Sequence, residues 1–281
     1  MEPPAASLPR EAAEDIALPV GLIRLPTRHN PVLQQVLERV NADAELHALW
    51  HAQNVNAVDR LGMSDHGPVH MQIVANIALK LLRLLVERSI TPSLVVNYAL
   101  VYGLGDSDAE VVVVLAALMH DLGMSIHRLD HEHYSLFIAQ PLLDSLLNVL
   151  YPPAPRAIMR SEILHAIIAH RAGGKPLTLE AGIVRVADAL DMTKGRSRIA
   201  FENGRVNIHS VSAAAVEKVE ITTGEEKAIR IHILMNNSAG IYQVDELMKD
   251  KLRDSGLERY VEIEAITAGS SEKKLVRLFR I

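Results

Sequence analysis

The chain has 281 residues, 13 histidines, no cysteine and a formal net charge of −5, set by 29 basic against 34 acidic side chains. Without cysteine there is no disulfide scaffold, no thiolate zinc or iron–sulfur site and no thiol nucleophile, so any bound metal must be held by imidazole and carboxylate. A pI near 6.2 gives wholesale nucleic-acid binding no electrostatic support.

Residues 1–29 are rich in proline (Pro3, Pro4, Pro9, Pro19, Pro26) and read as an arm laid on the body of the protein. Their opening, MEPPAASLPREAAED, lacks the basic start and apolar stretch of a secretory signal, and a cytoplasmic location is expected. From Asn30, a candidate N-cap with Pro31 at the first helical position, Val32, Leu33, Val36, Leu37 and Val40 recur at helical spacing. The stretch VHMQIVANIALKLLRLLVERSI, closed by Thr91-Pro92, predicts a long and mostly buried helix, and Ser93 to Tyr102 another, ended by Gly103 and Gly105. In DSDAEVVVVLAALMHDLG the four valines favour a strand on propensity alone. The acidic opening at Asp106, Asp108 and Glu110 suits a helix N-terminus instead, and helix is the expectation. The uncharged run inside it, Val111 to Met119, is far short of the roughly 20 residues that cross a bilayer, and no membrane partner is expected.

Three further helical stretches follow at His131 to Val149, Arg156 to Ala172 and Thr178 to Thr193, so residues 30–200 read as an all-α domain. After Gly204 the period changes. Val206, Ile208, Val219, Ile221, Ile229, Ile231 and Ile233 alternate with polar neighbours, as half-buried strands do. Thr223-Gly224 and Ser255-Gly256 look like turns, AGIYQVDELMKDKLRDSG like an amphipathic helix, and RYVEIEAIT and KKLVRLFRI like further strands. The fold class expected is therefore mainly α: a helical bundle followed, over residues 201–281, by a small α+β domain suited to dimerisation or regulation. A homo-oligomer is expected on that ground.

Eight of the 13 histidines fall between positions 66 and 170: His66, His70, His120, His127, His131, His133, His165 and His170. His70 heads a buried helix. His66, one turn earlier, shares its face if the helix already runs through Pro68, and otherwise sits in the entering loop. His120-Asp121 ends the most apolar helix of the chain, where an uncompensated charge is costly and a cation is the simplest partner. Asp188 lies inside the apolar AGIVRVADALDM with Asp191 one turn on; it either joins such a site or pairs with Arg185 or a neighbouring helix cap.

These segments, His70 in HMQIVANIALKLL, His120-Asp121 in LAALMHDLG and Asp188 in IVRVADALDM, resemble in order and surroundings the HD superfamily of metal-dependent phosphohydrolases, over roughly residues 60–198. The resemblance implies an all-helical bundle and one or two divalent ions (manganese, iron, magnesium, cobalt or zinc) that activate water against a phosphate ester or anhydride of a small substrate such as a nucleotide. It implies His70, His120, Asp121 and Asp188 as ligands of a first ion, with Asp121 bridging the metals or orienting the water. His66, His131, His165 and His170 are implied as further ligands; His127 and His133 have no counterpart in the family segments, and His127 is a candidate ligand or proton donor to the leaving group, against the reading of both as solvent-facing residues. Arg128, Arg171, Lys194 and Arg196 are candidates for binding phosphate charge, together with Lys175 and Arg198. Two departures from the family pattern are Met124, where a lysine often follows HDxG, and HRAGGKPLTLE, where the cyclic-di-nucleotide branch carries a GYP signature. A non-catalytic sensor of metal or nucleotide, signalling through the C-terminal domain, and a di-iron oxygenase are the competing expectations.

Overall fold

The computed structural model describes residues 21–171, 173–193, 212, 214–268 and 278–280. The strand expectations at Val206 and Ile208, and the candidate cations Lys194, Arg196 and Arg198, lie outside them. Within the amino-terminal arm, Ile23 is buried, and its backbone N–H and carbonyl are both bonded by the Asn41 side chain, at 2.8 and 2.9 Å.

The chain begins as a bundle of helices. Helix α1 (Pro31–Ala42) starts as its sequence predicts, with Asn30 Oδ1 accepting from Leu33 N–H at 3.0 Å. Helix α2 (Ala44–Asn54) continues into a π-helical turn (Val55–Arg60). Then come α3 (Pro68–Glu87), α4 (Ser93–Tyr102), α5 (Asp106–Met119), α6 (His131–Leu147), α7 (Pro153–Ala169) and α8 (Leu179–Leu190). The prolines opening α3 and α7 occupy the first turn, where the missing N–H has no intrahelical partner to lose.

Helix α5 is the axis of the bundle: every residue from Val111 to Met119 is buried. Each such valine or leucine removed from water contributes about 1.5 to 3 kcal/mol, more than the roughly 1 kcal/mol span of strand propensities, so burial on all sides decides for helix against the β-branched run. Asn30 and Glu110 tie this axis to its neighbours. Arg83 of α3 makes a two-pronged bond to Glu110, Nε to Oε1 at 2.7 Å and Nη2 to Oε2 at 3.0 Å, and Asn30 Nδ2 donates to the same Oε2 at 2.9 Å. Helix α3 is long and apolar enough to span a bilayer, but 56% of that window is buried inside the bundle.

The second unit is a four-stranded sheet in the order β1 (Val216–Thr223), β2 (Ile229–Met235), β3 (Val261–Thr267), β4 (Leu278–Arg280). Strands β1 and β2 form an antiparallel hairpin, β3 and β4 pair antiparallel, and β2 runs parallel to β3 with Ile231 opposite Ile263. That parallel pair requires a crossover. It is supplied by a helical stretch: a 3-10 turn at Ser238–Gly240, a π-helical turn at Gln243–Met248 and the short α9 (Lys249–Leu252). Buried residues of both units form one hydrophobic core.

Glu180 joins α8 to α4: its Oε1 accepts from Leu94 N–H at 2.9 Å, while the buried Oε2 has no hydrogen-bond partner among the described residues. Burial raises its carboxyl above the ordinary range against the opposing hydrogen bond from Leu94. A carboxyl raised in this way costs stability only once pH exceeds its unfolded value, and the cost grows toward the folded value. Glu180→Gln keeps the acceptor and removes the charge. The difference in Tm, variant minus wild type, is therefore expected to rise as pH increases from the ordinary carboxyl range toward neutrality; a difference flat with pH would contradict it.

Candidate metal centre

The turn after α5 is held from three sides. Trp50 of α2 donates its indole N–H to Leu118 O at 2.9 Å, and Asn56 Nδ2 reaches Met124 O and Ser125 O at 2.8 and 2.9 Å. Gly123 lies so close to α6 that a Cβ there would run into the His131 carbonyl and stand 2.7 Å from Ser135 N. Through that gap Gly123 N–H donates to Ser135 Oγ at 2.8 Å, and the Ser135 hydroxyl donates to His120 O at 2.7 Å. His120 and Asp121 are thus fixed against the first turn of α6, whose first residue is His131. Asp130, in the left-handed region at φ 59°, turns the chain into that helix.

Around Asp121 the imidazoles share one orientation. Nδ1 of His120 donates to Ala117 O (2.8 Å), that of His170 to Ile167 O (2.6 Å), that of His66 to Ser64 O (2.7 Å) and that of His70 to Asp191 Oδ2 (2.6 Å). With Nδ1 carrying the proton, each ring presents the lone pair of Nε2, the arrangement of metal-ligating histidines with an outer oxygen partner. The Nε2 atoms of three of these rings divide over the two oxygens of one carboxylate. His120 and His70 face Asp121 Oδ2 at 3.4 and 3.7 Å, and His170 faces Oδ1 at 3.7 Å. His131 Nε2 lies 3.1 Å from Oδ1, while its Nδ1 reaches Arg128 O at 3.0 Å and Glu132 Oε2 at 3.2 Å. Asp188 Oδ1 closes the first group, 3.5 Å from His70 Nε2 and 3.7 Å from His120 Nε2.

Lone pairs and carboxylate oxygens facing one another in a buried space need a cation, and His70, His120 and Asp121, and separately Asp121, His131 and His170, are close enough to hold one. His120 Nε2, wholly buried, has no hydrogen-bond partner among the described residues. Neutral imidazole with carboxylate suits a divalent transition ion, so the residues present fit the metal that their types suggest.

The family model for the HD domain matches residues 69–193 of this chain. An uncharacterized protein of Methanocaldococcus jannaschii is 39% identical over 232 residues, which cover 83% of this chain and 88% of that protein. The chain belongs to the HD domain family. No solved structure matches it. The family is of the metal-dependent phosphohydrolase type, and divalent metal binding goes with it.

Electrostatics in this HD domain follow from the same packing. Burial would raise the Asp121 carboxyl, but His120, His131 and His66 hold it well below its usual range. Asp188 is likewise held low against burial, first by Lys251 and then by His120 and His70. For His170 burial dominates, with His120 and Lys251 adding to it, and keeps the ring neutral. His131 is raised, because the hydrogen bond and charge of Asp121 outweigh its burial.

Helix α3 begins at Pro68, so His66 lies in the entering loop, buried, with its ring centroid 5.6 Å from that of His70. His165 is directed elsewhere: its Nε2 accepts from Leu177 N–H at 2.9 Å. His127 is exposed, with Nδ1 accepting from Leu129 N–H at 3.0 Å, and His133 is exposed as well. Arg128 stands beside the cluster, its Nη1 2.9 Å from His131 Nδ1, whereas Arg171 is exposed and meets Arg185 only through its carbonyl, at 3.0 Å. Arg185 does not pair with Asp188; Lys251 does, Nζ to Oδ2 at 3.1 Å. Lys251, Ser135 and the acceptor role of Asp191 are additions that the sequence did not single out. For Asp191 the available signal was its spacing from Asp188.

Asp191 sets the tautomer of His70. Asp191→Asn is expected to weaken metal binding about 10- to 100-fold with little change in Tm, as loss of an outer partner does. Titration of the metal-free protein with manganese checks this, and unchanged affinity would remove Asp191 from the centre.

Proposed function

We propose that the chain is a phosphohydrolase that uses two divalent ions, one beside each pair of imidazoles, against a phosphate ester or anhydride of a nucleotide or another small phosphorylated metabolite. The observation that carries this reading is the division of Asp121, with Oδ2 toward His70 and His120 and Oδ1 toward His131 and His170. A carboxylate so placed suits a bridge between two cations. When bound, ions of this kind supply an acidified water and neutralise charge on phosphoryl oxygens.

The remaining work falls to the chain. His70, His120 and Asp188 would hold one ion, His131 and His170 the other, and Asp121 would join them. Because the imidazoles are oriented by backbone and carboxylate oxygens before any ion arrives, binding demands little rearrangement. Arg128 is the described cation nearest this arrangement among the residues proposed for phosphate, and its planar fork suits two phosphate oxygens. No nucleophilic side chain is required.

Protein loaded separately with manganese, iron and magnesium is expected to hydrolyse at least one member of a panel of nucleotides, cyclic nucleotides and phosphomonoesters. Asp121→Ala should lower that rate by about a thousandfold or more, since one substitution removes a ligand from both ions. Arg128→Ala should raise KM by about 10- to 100-fold, the worth of one charge-assisted hydrogen bond, with a smaller effect on kcat. Bound metal with no turnover on the whole panel would overturn the hydrolytic reading, and stoichiometric oxygen uptake by the iron-loaded form would replace it with an oxidative one.

A further inference from the structure

Three successive turns of α8 meet the crossover segment of the sheet unit. On the first, Gly182 touches the Ser255 carbonyl so closely that a Cβ would collide with it. On the second, the buried Arg185 donates from Nε to Lys251 O at 2.9 Å and from Nη2 to Asp250 O at 3.1 Å. Its Nη1 gathers in the loop after α7 through Arg171 O, at 3.0 Å, and Gly174 O. On the third turn stands Asp188, and here the contact is made by a side chain: Lys251 Nζ donates to Asp188 Oδ2 at 3.1 Å and to His170 O at 2.5 Å. A buried guanidinium spent wholly on carbonyls is an expensive way to dock a surface helix. It is a sound way to hold one lysine at a fixed place.

We infer that Lys251, delivered by the C-terminal sheet unit, is a positioning residue of the metal centre, fixing Asp188 so that Oδ1 faces His70 and His120 while Oδ2 is turned outward. This rests on the metal-centre reading above and extends it to a residue far along the chain. Asp188 has no other ion pair among the described residues besides its two imidazoles and Lys251. Without the ammonium its carboxylate is free to rotate or to offer both oxygens inward. By bonding the His170 carbonyl as well, Lys251 touches one residue from each half of the cluster. The C-terminal unit is then a wall of the site rather than an appendage to it.

The test is a double-mutant cycle on manganese affinity, using the full-length chain: wild type, Lys251→Met, Asp188→Asn and the double variant, each also followed by thermal denaturation. Lys251→Met is expected to weaken manganese binding about 10- to 100-fold in the wild-type background, as loss of an outer partner does, and by less than about threefold when Asp188 is already Asn. Lys251→Arg, which keeps the charge and two donors, should recover most of the affinity. Should the methionine variant fail to fold, Lys251→Gln, which keeps a donor without the charge, takes its place in the cycle. Unchanged or tighter manganese binding by the variant overturns the inference, as does an equal loss in both backgrounds. Failure of the wild type itself to bind manganese, iron or magnesium would strike the metal-centre reading instead, so the two failures are separable.

Discussion

Asp121 is a carboxylate set just past a helix whose residues from Val111 to Met119 are all buried, with imidazole rings on both of its oxygens. In a medium of low effective dielectric such a group is tolerated only if its charge is answered, and every element that approaches it brings part of the answer. Helix α3 contributes His70, α6 His131, α7 His170 and α8 Asp188, while α5 supplies His120 beside it. Burial of α5 and the polarity at its end belong together. The apolar wall that makes the charge costly also keeps water from screening it, so a cation held there interacts strongly with its ligands.

A second layer of oxygens keeps the first in place. Three rings are oriented by carbonyls in or beside their own elements, Ala117 O for His120, Ile167 O for His170 and Ser64 O for His66, and His70 is oriented by Asp191. The carbonyl partners of His120 and His170 lie three residues before the histidine, in the last turn of a helix, where the usual donor four residues on is no longer helical. A histidine just past a helix terminus thus caps the helix with one nitrogen and offers the other to the site. The same bond serves stability and ligation, which ties the integrity of α5 and α7 to the order of the centre.

Much of this could be read from the chain, and the exceptions have physical causes. Helices α1, α4 and α5 begin where Asn30, Ser93 and Asp106 suggest: Asn30 caps α1, Asp108 accepts from Gly105 N–H at the start of α5, and α4 follows Pro92 without a side-chain cap. Helix α2 escaped notice because its buried face is made of Leu46, His47, Trp50 and Gln53, so half of the stripe is polar and apolar periodicity does not register it. For α7, Pro153 and Pro155 look like breakers and instead occupy its first turn. In the cluster, spacing left His66 open between helix and loop, and Pro68 decided it. His165 and His170 share one helix in sequence, but only His170, at the C-terminal end, is turned to Asp121, and Leu177 occupies His165. Local pattern states which residues can lie on a face; it does not state which neighbour that face will meet.

Lys251 is the sharpest instance of that limit. In an amphipathic stretch a lysine is by default a solvated charge, and nothing in MKDKLRDSG distinguishes it from Lys249, which makes an ordinary one-turn pair with Asp245 at 3.0 Å. The signal lies on the other partner. Gly182, Arg185 and Asp188 form a stripe on α8 that cannot belong to an apolar core: no side chain, a buried cation and a half-buried anion on successive turns. A helix whose other face is Ile183, Val184, Val186 and Ala187 buries such a stripe only if a second backbone comes very close and brings both carbonyls and a positive charge. The segment from Asp250 to Ser255 meets each of those demands in turn. The sheet that anchors this segment follows from the same need, since a parallel β2–β3 pair must be joined by a crossover, and it is the crossover that faces α8.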